Sequence, residues 1–161
     1  MTAPTFAQDL DVASDANQYL TFQLGDQEYG LEILAVQEIK GLSAITKMPN
    51  TPVHVKGVTN LRGAVVPILD LRVRFGLAER AYDRFTVFII ANVGSKVVGL
   101  VVDAVEDVID LAPDAIQPTP ELASALGGAY VRGIAHVGER LVALLDIEKI
   151  VHQDLTLLDA A

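Results

Sequence analysis

The sequence contains two copies of one strand-rich pattern. At an offset of 69 residues three groups of matching residues align: Gly25 with Gly94, Gly30-Leu31 with Gly99-Leu100, and Val36-Gln-Glu-Ile39 with Val105-Glu-Asp-Val108. At an offset of 76 residues two more align: Lys56-Gly-Val58 with Arg132-Gly-Ile134, and Val65-Val-Pro-Ile-Leu-Asp-Leu71 with Leu141-Val-Ala-Leu-Leu-Asp-Ile147. Apolar strands also resemble one another by chance, but composition explains matched glycine and aspartate positions less well. A duplicated β-unit is the better interpretation.

Each copy predicts about five short strands. The increase of seven in the offset indicates an insertion in the second copy, and the segment from Pro113 to Gly128, with its Pro and Gly residues, is a natural place for it. Closing such strands into a small barrel removes the exposed edges that invite aggregation. The sequence therefore predicts an all-β fold with short helices.

Local patterns predict hairpins and one helix cap. Residues 19–24 alternate apolar and polar side chains, Gly25-Asp26 is typical of a turn, and residues 28–33 continue the pattern. A second hairpin is predicted for residues 55–61 and 64–69 around Arg62-Gly63, and Asp70 is placed to cap a short helix. We expect a tail at 1–16, one domain over 17–155 and a tail at 156–161. The domain should comprise two subdomains, about 17–80 and 81–155, adjacent or intertwined.

Composition and charge exclude several classes of partner. The formal net charge of −9 and the pI near 4.6 disfavour nucleic acid and anionic lipid. Cysteine is absent, which excludes disulfides and thiol chemistry. The start lacks the basic and apolar segments of a signal peptide, and the longest uncharged apolar-rich stretch, Phe85 to Ser95, is much shorter than the roughly 20 residues of a membrane span. These features predict a cytoplasmic protein without direct membrane insertion.

No pattern of residues indicates catalysis, a metal or a cofactor. The histidines at positions 54, 136 and 152 have no zinc-site spacing, and no serine lies in a GxSxG motif. Glycine-rich phosphate loops are absent. The acidic residues between Asp103 and Asp110 alternate with valines and lack the spacing of a calcium loop, so a solvated strand face is the simpler interpretation. We expect a non-enzymatic protein with no cofactor and no metal.

Three motifs together carry a family resemblance: GVTNLRG at 57–63, VPILDL at 66–71 and VVGLVVDAVEDV at 97–108. They resemble the CheW family of chemotaxis coupling proteins, and the likeness runs from about Gln18 to Val151. The resemblance implies two five-stranded SH3-like barrels packed side by side. It also implies an adaptor that binds the cytoplasmic signalling tip of chemoreceptors and the regulatory domain of the histidine kinase CheA, and is recruited to membrane-associated receptor arrays.

The same resemblance implies a binding groove at the junction of the barrels. One wall would carry Val36, Glu38 and Ile39, and the other Val105 and Val108. Such recognition buries an apolar stripe of a helix while a few charges set its register. Taken alone, Val36 and Ile39 are better explained as core residues, and only the resemblance favours groove lining.

Four further residues lie in or beside the GVTNLRG motif: Gly57, Asn60, Arg62 and Gly63. Arg62 is predicted to pair with Glu38, because a guanidinium presents two donors to one carboxylate. The alternative is that Arg62 only decorates an exposed hairpin tip. The two glycines are expected to satisfy turn or close-approach geometry.

Two alternatives to the adaptor prediction remain. One is a coupling module from a relative such as CheV or from the kinase itself, although 161 residues leave no room for a receiver or catalytic domain. The other is a sensor or enzyme whose apolar groove holds a small molecule, since clefts in barrels do bind ligands.

Overall fold

The computed structural model describes residues 17–78, 80–117 and 130–151. Its strands, in chain order, are β1 (Gln18–Leu24), β2 (Gln27–Glu32), β3 (Val36–Gly41), β4 (Val55–Leu61), β5 (Ala64–Asp70), β6 (Val87–Val93), β7 (Lys96–Val102), β8 (Ala104–Asp110), β9 (Ile116–Gln117), β10 (Val131–Val137) and β11 (Arg140–Leu145). The helical pieces are Leu71–Arg74, residues 147–151, and the 3-10 turns Ile33–Ala35 and Pro113–Ala115. The expected tails at 1–16 and 156–161 lie outside the described residues.

The strands form two sheets, which confirms the β-rich class with short helices. One sheet has the order β8-β1-β2-β11-β10-β9 and the other has the order β3-β6-β7-β5-β4. Both predicted hairpins are present, β1 with β2 and β4 with β5, each antiparallel. The two sheets are called the first and second sheet below, in that order.

The repeat found in the sequence matches the strands residue by residue. Adding 69 to the bounds of β1 (18–24) gives those of β6 (87–93), and adding 76 to those of β4 (55–61) gives those of β10 (131–137). Pairing follows the same relation, because the parallel contact of β2 with β11 corresponds to that of β7 with β5. Each repeat therefore supplies equivalent strands to equivalent places.

The two repeats exchange their first hairpins. The hairpin β1-β2 joins β8, β10 and β11 of the second repeat, whereas β6-β7 joins β3, β4 and β5 of the first. The expected boundary near residue 80 therefore does not separate the sheets, and the intertwined alternative describes their topology. Contacts between strands far apart in the chain hold each sheet together, so neither half of the chain contains a complete sheet.

One hydrophobic cluster takes side chains from both sheets. Its fully buried members include Leu20 and Phe22 of β1, Ile89 and Ala91 of β6, and Leu100 of β7. Burying a large aliphatic or aromatic side chain stabilises a fold by about 1.5–3 kcal/mol. The cluster, called the shared core below, is thus the main apolar link between the sheets.

A carboxylate network adds a polar link between the sheets. Asp103 accepts hydrogen bonds from Arg72 Nε at 2.9 Å and from the backbone N–H of Gly25, in the β1-β2 turn, at 2.8 Å. Arg72 belongs to the helix that follows β5, whose cap is as predicted: Asp70 accepts from the backbone N–H of Arg72 at 2.9 Å. These hydrogen bonds therefore connect the β1-β2 turn of the first sheet to the helix that follows β5 of the second sheet.

Gly57 and its repeat counterpart Gly133 allow close backbone approach. Both lie at β-bulges, and Gly57 has a φ of 140°. A Cβ built on Gly57 would lie 2.1 Å from the carbonyl oxygen of Thr46, and one on Gly133 would lie 2.6 Å from Ile116 Cγ2. The expectation of a close-approach role is confirmed.

Replacing Gly57 with alanine should destabilise the fold by at least about 2 kcal/mol, because the methyl group meets backbone and the φ is unfavourable for an L-residue. Chemical denaturation followed by circular dichroism measures the change. Gly41→Ala is the matched control, since nothing lies within 4 Å of its built Cβ, and it should stay within about 0.5 kcal/mol of the parent. Equal stability of the two variants would contradict the close-approach role.

Candidate functional site at the seam between two edge strands

The two strands that carry the predicted groove residues lie at the edges of different sheets. In the described part of the chain β3 pairs only with β6, and β8 pairs only with β1. Ile39 of β3 and the valines at positions 105 and 108 of β8 are half-buried and pack against the shared core. Because both strands pack on this one core, we take the surface that they border as the candidate site and call it the seam.

A β-bulge on each wall sets which side chains reach the seam. On β3 the register shifts between Val36 and Glu38, and on β8 the residues Glu106 and Asp107 stand opposite Thr21 alone. Each bulge adds one residue and so reverses the alternation of the strand. Residues three apart consequently share a face: Val36 with Ile39, and Val105 with Val108.

Val36 does not line an accessible groove. It is 2% exposed and belongs to the buried part of the shared core, so its predicted contact with a partner is corrected to a core role. Ile39, Val105 and Val108 are half-buried against the shared core, and their place in a docking groove stays a prediction. The burial of Val36 depends on how far the first sheet covers this face of β3, which a strand pattern does not encode.

The predicted pair of Glu38 and Arg62 is present and has two contacts. Arg62 Nη2 contacts Glu38 Oε2, and Nη1 donates to Oε1 at 3.3 Å. Glu38 neighbours Ile39 in an extended strand, so it points to the opposite face and flanks the seam instead of lining it. With Arg62 64% exposed, the pair forms a solvated rim on the β3 wall.

A tight turn positions Arg62. The loop between β4 and β5 consists of Arg62 and Gly63, both with positive φ (51° and 87°), the pattern of a type I′ hairpin turn. Asn60 supports it, because its Oδ1 accepts a hydrogen bond from the backbone N–H of Gly63 at 3.0 Å. A positive φ is uncommon for arginine and marks Arg62 as a residue held in place by its surroundings.

The β8 wall has a corresponding charge cluster that the sequence interpretation did not include. Arg140 Nε donates to Glu28 Oε1 at 3.0 Å, and its two terminal nitrogens donate to the carboxylate of Asp107 at 3.2 and 3.4 Å. Asp107 also exchanges hydrogen bonds with buried Thr21. The alignment of Glu38 with Asp107 signalled the acid, but no aligned residue signalled the arginine.

Both acids titrate below their ordinary range. The hydrogen bond from Arg62 is the main cause that lowers the pKa of Glu38. Partial burial opposes ionisation of Asp107, but hydrogen bonds from Arg140 and Thr21 together with the charge of Arg140 outweigh it, so its pKa is also lowered. Both carboxylates are therefore ionised at neutral pH.

Comparison with known proteins places this chain in a family. A family model described as a CheW-like domain matches residues 18–155. The chemotaxis protein CheW of Klebsiella aerogenes is 48% identical over 143 residues, which cover 88% of this chain and 86% of that protein. A probable chemotaxis protein CheW of Rhizobium etli is 43% identical over 131 residues, covering 81% and 84%.

A solved structure supports the same assignment. The crystal structure of the scaffolding protein TtCheW from Thermoanaerobacter tengcongensis superposes with a TM-score of 0.77 at 34% identity, covering 81% of this chain and 89% of that one. Among residues 17–78, 80–117 and 130–151, no helix has the length and apolar character needed to cross a membrane.

Replacing Arg62 with glutamine should raise the pKa of Glu38 toward that of an ordinary glutamate, because the main group that favours its carboxylate form is lost. A lowered folded-state pKa stabilises the fold above the unfolded-state pKa, and this contribution disappears as the pH falls through the lowered value. An NMR titration of the side-chain carboxyl carbon measures the shift. An unchanged Glu38 titration would show that the pair is not formed in solution.

Proposed function

Because this chain belongs to the family of proteins with a CheW-like domain, we propose that it is a non-enzymatic chemotaxis adaptor that couples chemoreceptors to the histidine kinase CheA. The observation that supports this function best is that half-buried aliphatic side chains of two edge strands pack on one shared core, while each strand also carries an arginine–carboxylate contact. The proposed occupant of the seam is the helical hairpin at the cytoplasmic signalling tip of a receptor.

The seam has the chemical character that helix docking requires. Ile39, Val105 and Val108 are already supported from beneath by the shared core, so they lose little conformational freedom when a helix covers them. Apolar contact at the centre supplies affinity, while charged groups at the rim exclude wrong partners and set register. A preformed seam therefore binds without the ordering cost of a disordered segment.

The second proposed partner is the regulatory domain of CheA. By the family resemblance that domain shares the double-barrel architecture, so adaptor and kinase can alternate in an array. Receptor docking at the seam leaves the outer parts of both sheets available to the kinase. Simultaneous binding of both partners is what distinguishes an adaptor from a receptor-binding protein alone.

Reversing the charge of Arg62 tests the receptor site. Arg62→Glu should weaken binding to a receptor signalling-tip fragment roughly tenfold, because it removes the partner of Glu38 and places a like charge beside it. Calorimetry or surface plasmon resonance measures the affinity. Lys149→Glu, the same charge change at an exposed position of the helical segment 147–151, is the control and should bind as the parent does.

The adaptor role itself is tested by co-sedimentation of the chain with a receptor fragment and the CheA regulatory domain. A ternary complex is expected for the parent and a weakened one for Arg62→Glu. Absence of binding to either partner, together with strong thermal stabilisation by a small metabolite, would contradict the adaptor role and favour a ligand-binding sensor. Equal receptor affinity of the parent and Arg62→Glu would contradict the site.

A further inference from the structure

The two walls of the seam present repeat-related residues. Ile39 and Val108 are 69 positions apart, as are Glu38 and Asp107. Each acid lies at a bulge and is held by an arginine from near a hairpin tip. The sequence thus places the same pair, an acid beside an aliphatic residue, once on each edge strand.

The two arginines, Arg62 and Arg140, contact their acids from positions that do not correspond in the repeat. The position that aligns with Arg62 is Gly138, which has a φ of 63° and begins the β10-β11 turn. Arg140 lies just after this turn, at the start of β11, and reaches across the first sheet to β8. An arginine–carboxylate contact exists on both walls although the arginine is not at an aligned position.

Resting on the proposed function, we propose that Asp107, held by Arg140, is the second rim contact for the docked receptor hairpin and selects the arm that carries a basic side chain. Arg140 is anchored by Glu28, which is only 14% exposed, whereas Asp107 is 47% exposed and accessible to a partner. The carboxylate is therefore held by the fold yet faces solvent.

The two rims differ in charge. The Glu38–Arg62 pair is neutral, whereas the cluster on the β8 wall combines one arginine with two carboxylates and carries a net negative charge. A hairpin of two similar helices fits two similar walls in either orientation, and unequal charge favours one orientation over the other. Asp107 is thus a positioning residue that acts on the orientation and association rate of the partner.

The test measures the association rate of a receptor signalling-tip fragment as a function of salt concentration. Asp107→Asn keeps the shape of the side chain and the Arg140–Glu28 contact while removing the charge. We expect the affinity to fall about two- to fivefold and the salt dependence to become shallower, with the melting temperature little changed. Asp107→Glu should retain the salt dependence of the parent.

Asp110→Asn is the matched control, because it makes the same charge change on the same strand at an exposed position beyond the bulge. Equal kinetics of the Asp107→Asn and Asp110→Asn variants, or a loss of stability with unchanged salt dependence, would overturn the proposal. In that case normal parent binding and a weakened Arg62→Glu variant would leave the proposed function standing. A parent chain that does not bind the fragment would overturn both.

Discussion

The exchange of hairpins between the two repeats is the constraint on which the rest of the structure depends. Since β1-β2 completes the sheet of the second repeat and β6-β7 completes that of the first, the shared core must form from both ends of the chain at once. Loop-closure entropy opposes such distant contacts, and only the burial of many large apolar side chains offsets it. The two edge strands of the seam are fixed relative to each other because both pack against this common core.

The position of the edge strands follows from the same exchange. Each repeat places its third strand, β3 or β8, beside the first strand of the other repeat, and no other strand among the described residues pairs with its outer edge. Two unpaired edges over one apolar core create a surface that is neither core nor ordinary exterior. Its aliphatic residues are half-buried, so a partner gains apolar contact without the domain having to open.

The sequence predicted much of the local structure but not the arrangement of its parts. The hairpins, the Asp70 cap and the Glu38–Arg62 pair depend on neighbouring residues or on a motif, and such information is present in a single chain. Hairpin exchange is different, because β1 has the same alternating pattern whichever third strand it pairs with. For this reason the sequence revealed the repeat but left open whether its two copies are adjacent or intertwined.

Two features of the site were beyond pattern analysis for related reasons. The core position of Val36 depends on how far the first sheet covers β3, and the contact of Arg140 with Asp107 spans four strands. The bulges were equally hidden, since an inserted residue changes no residue type. The spacing of three between Val36 and Ile39 resembles a helical period, and only the bulge makes it consistent with a strand face.

The bulges and charges of the two edge strands also reduce the risk of unwanted strand pairing between copies of the protein. An exposed edge strand with apolar side chains invites pairing with another copy, and proteins prevent this with bulges and charges on the edge. A bulge interrupts the ladder on both β3 and β8, and on β8 the net negative cluster of Asp107, Glu28 and Arg140 also repels the same edge of a second molecule. A helix, however, needs no backbone ladder and can bring basic side chains to those acids. The same bulge and charge therefore disfavour a strand and favour a helix, which gives the seam its selectivity before any single contact is considered.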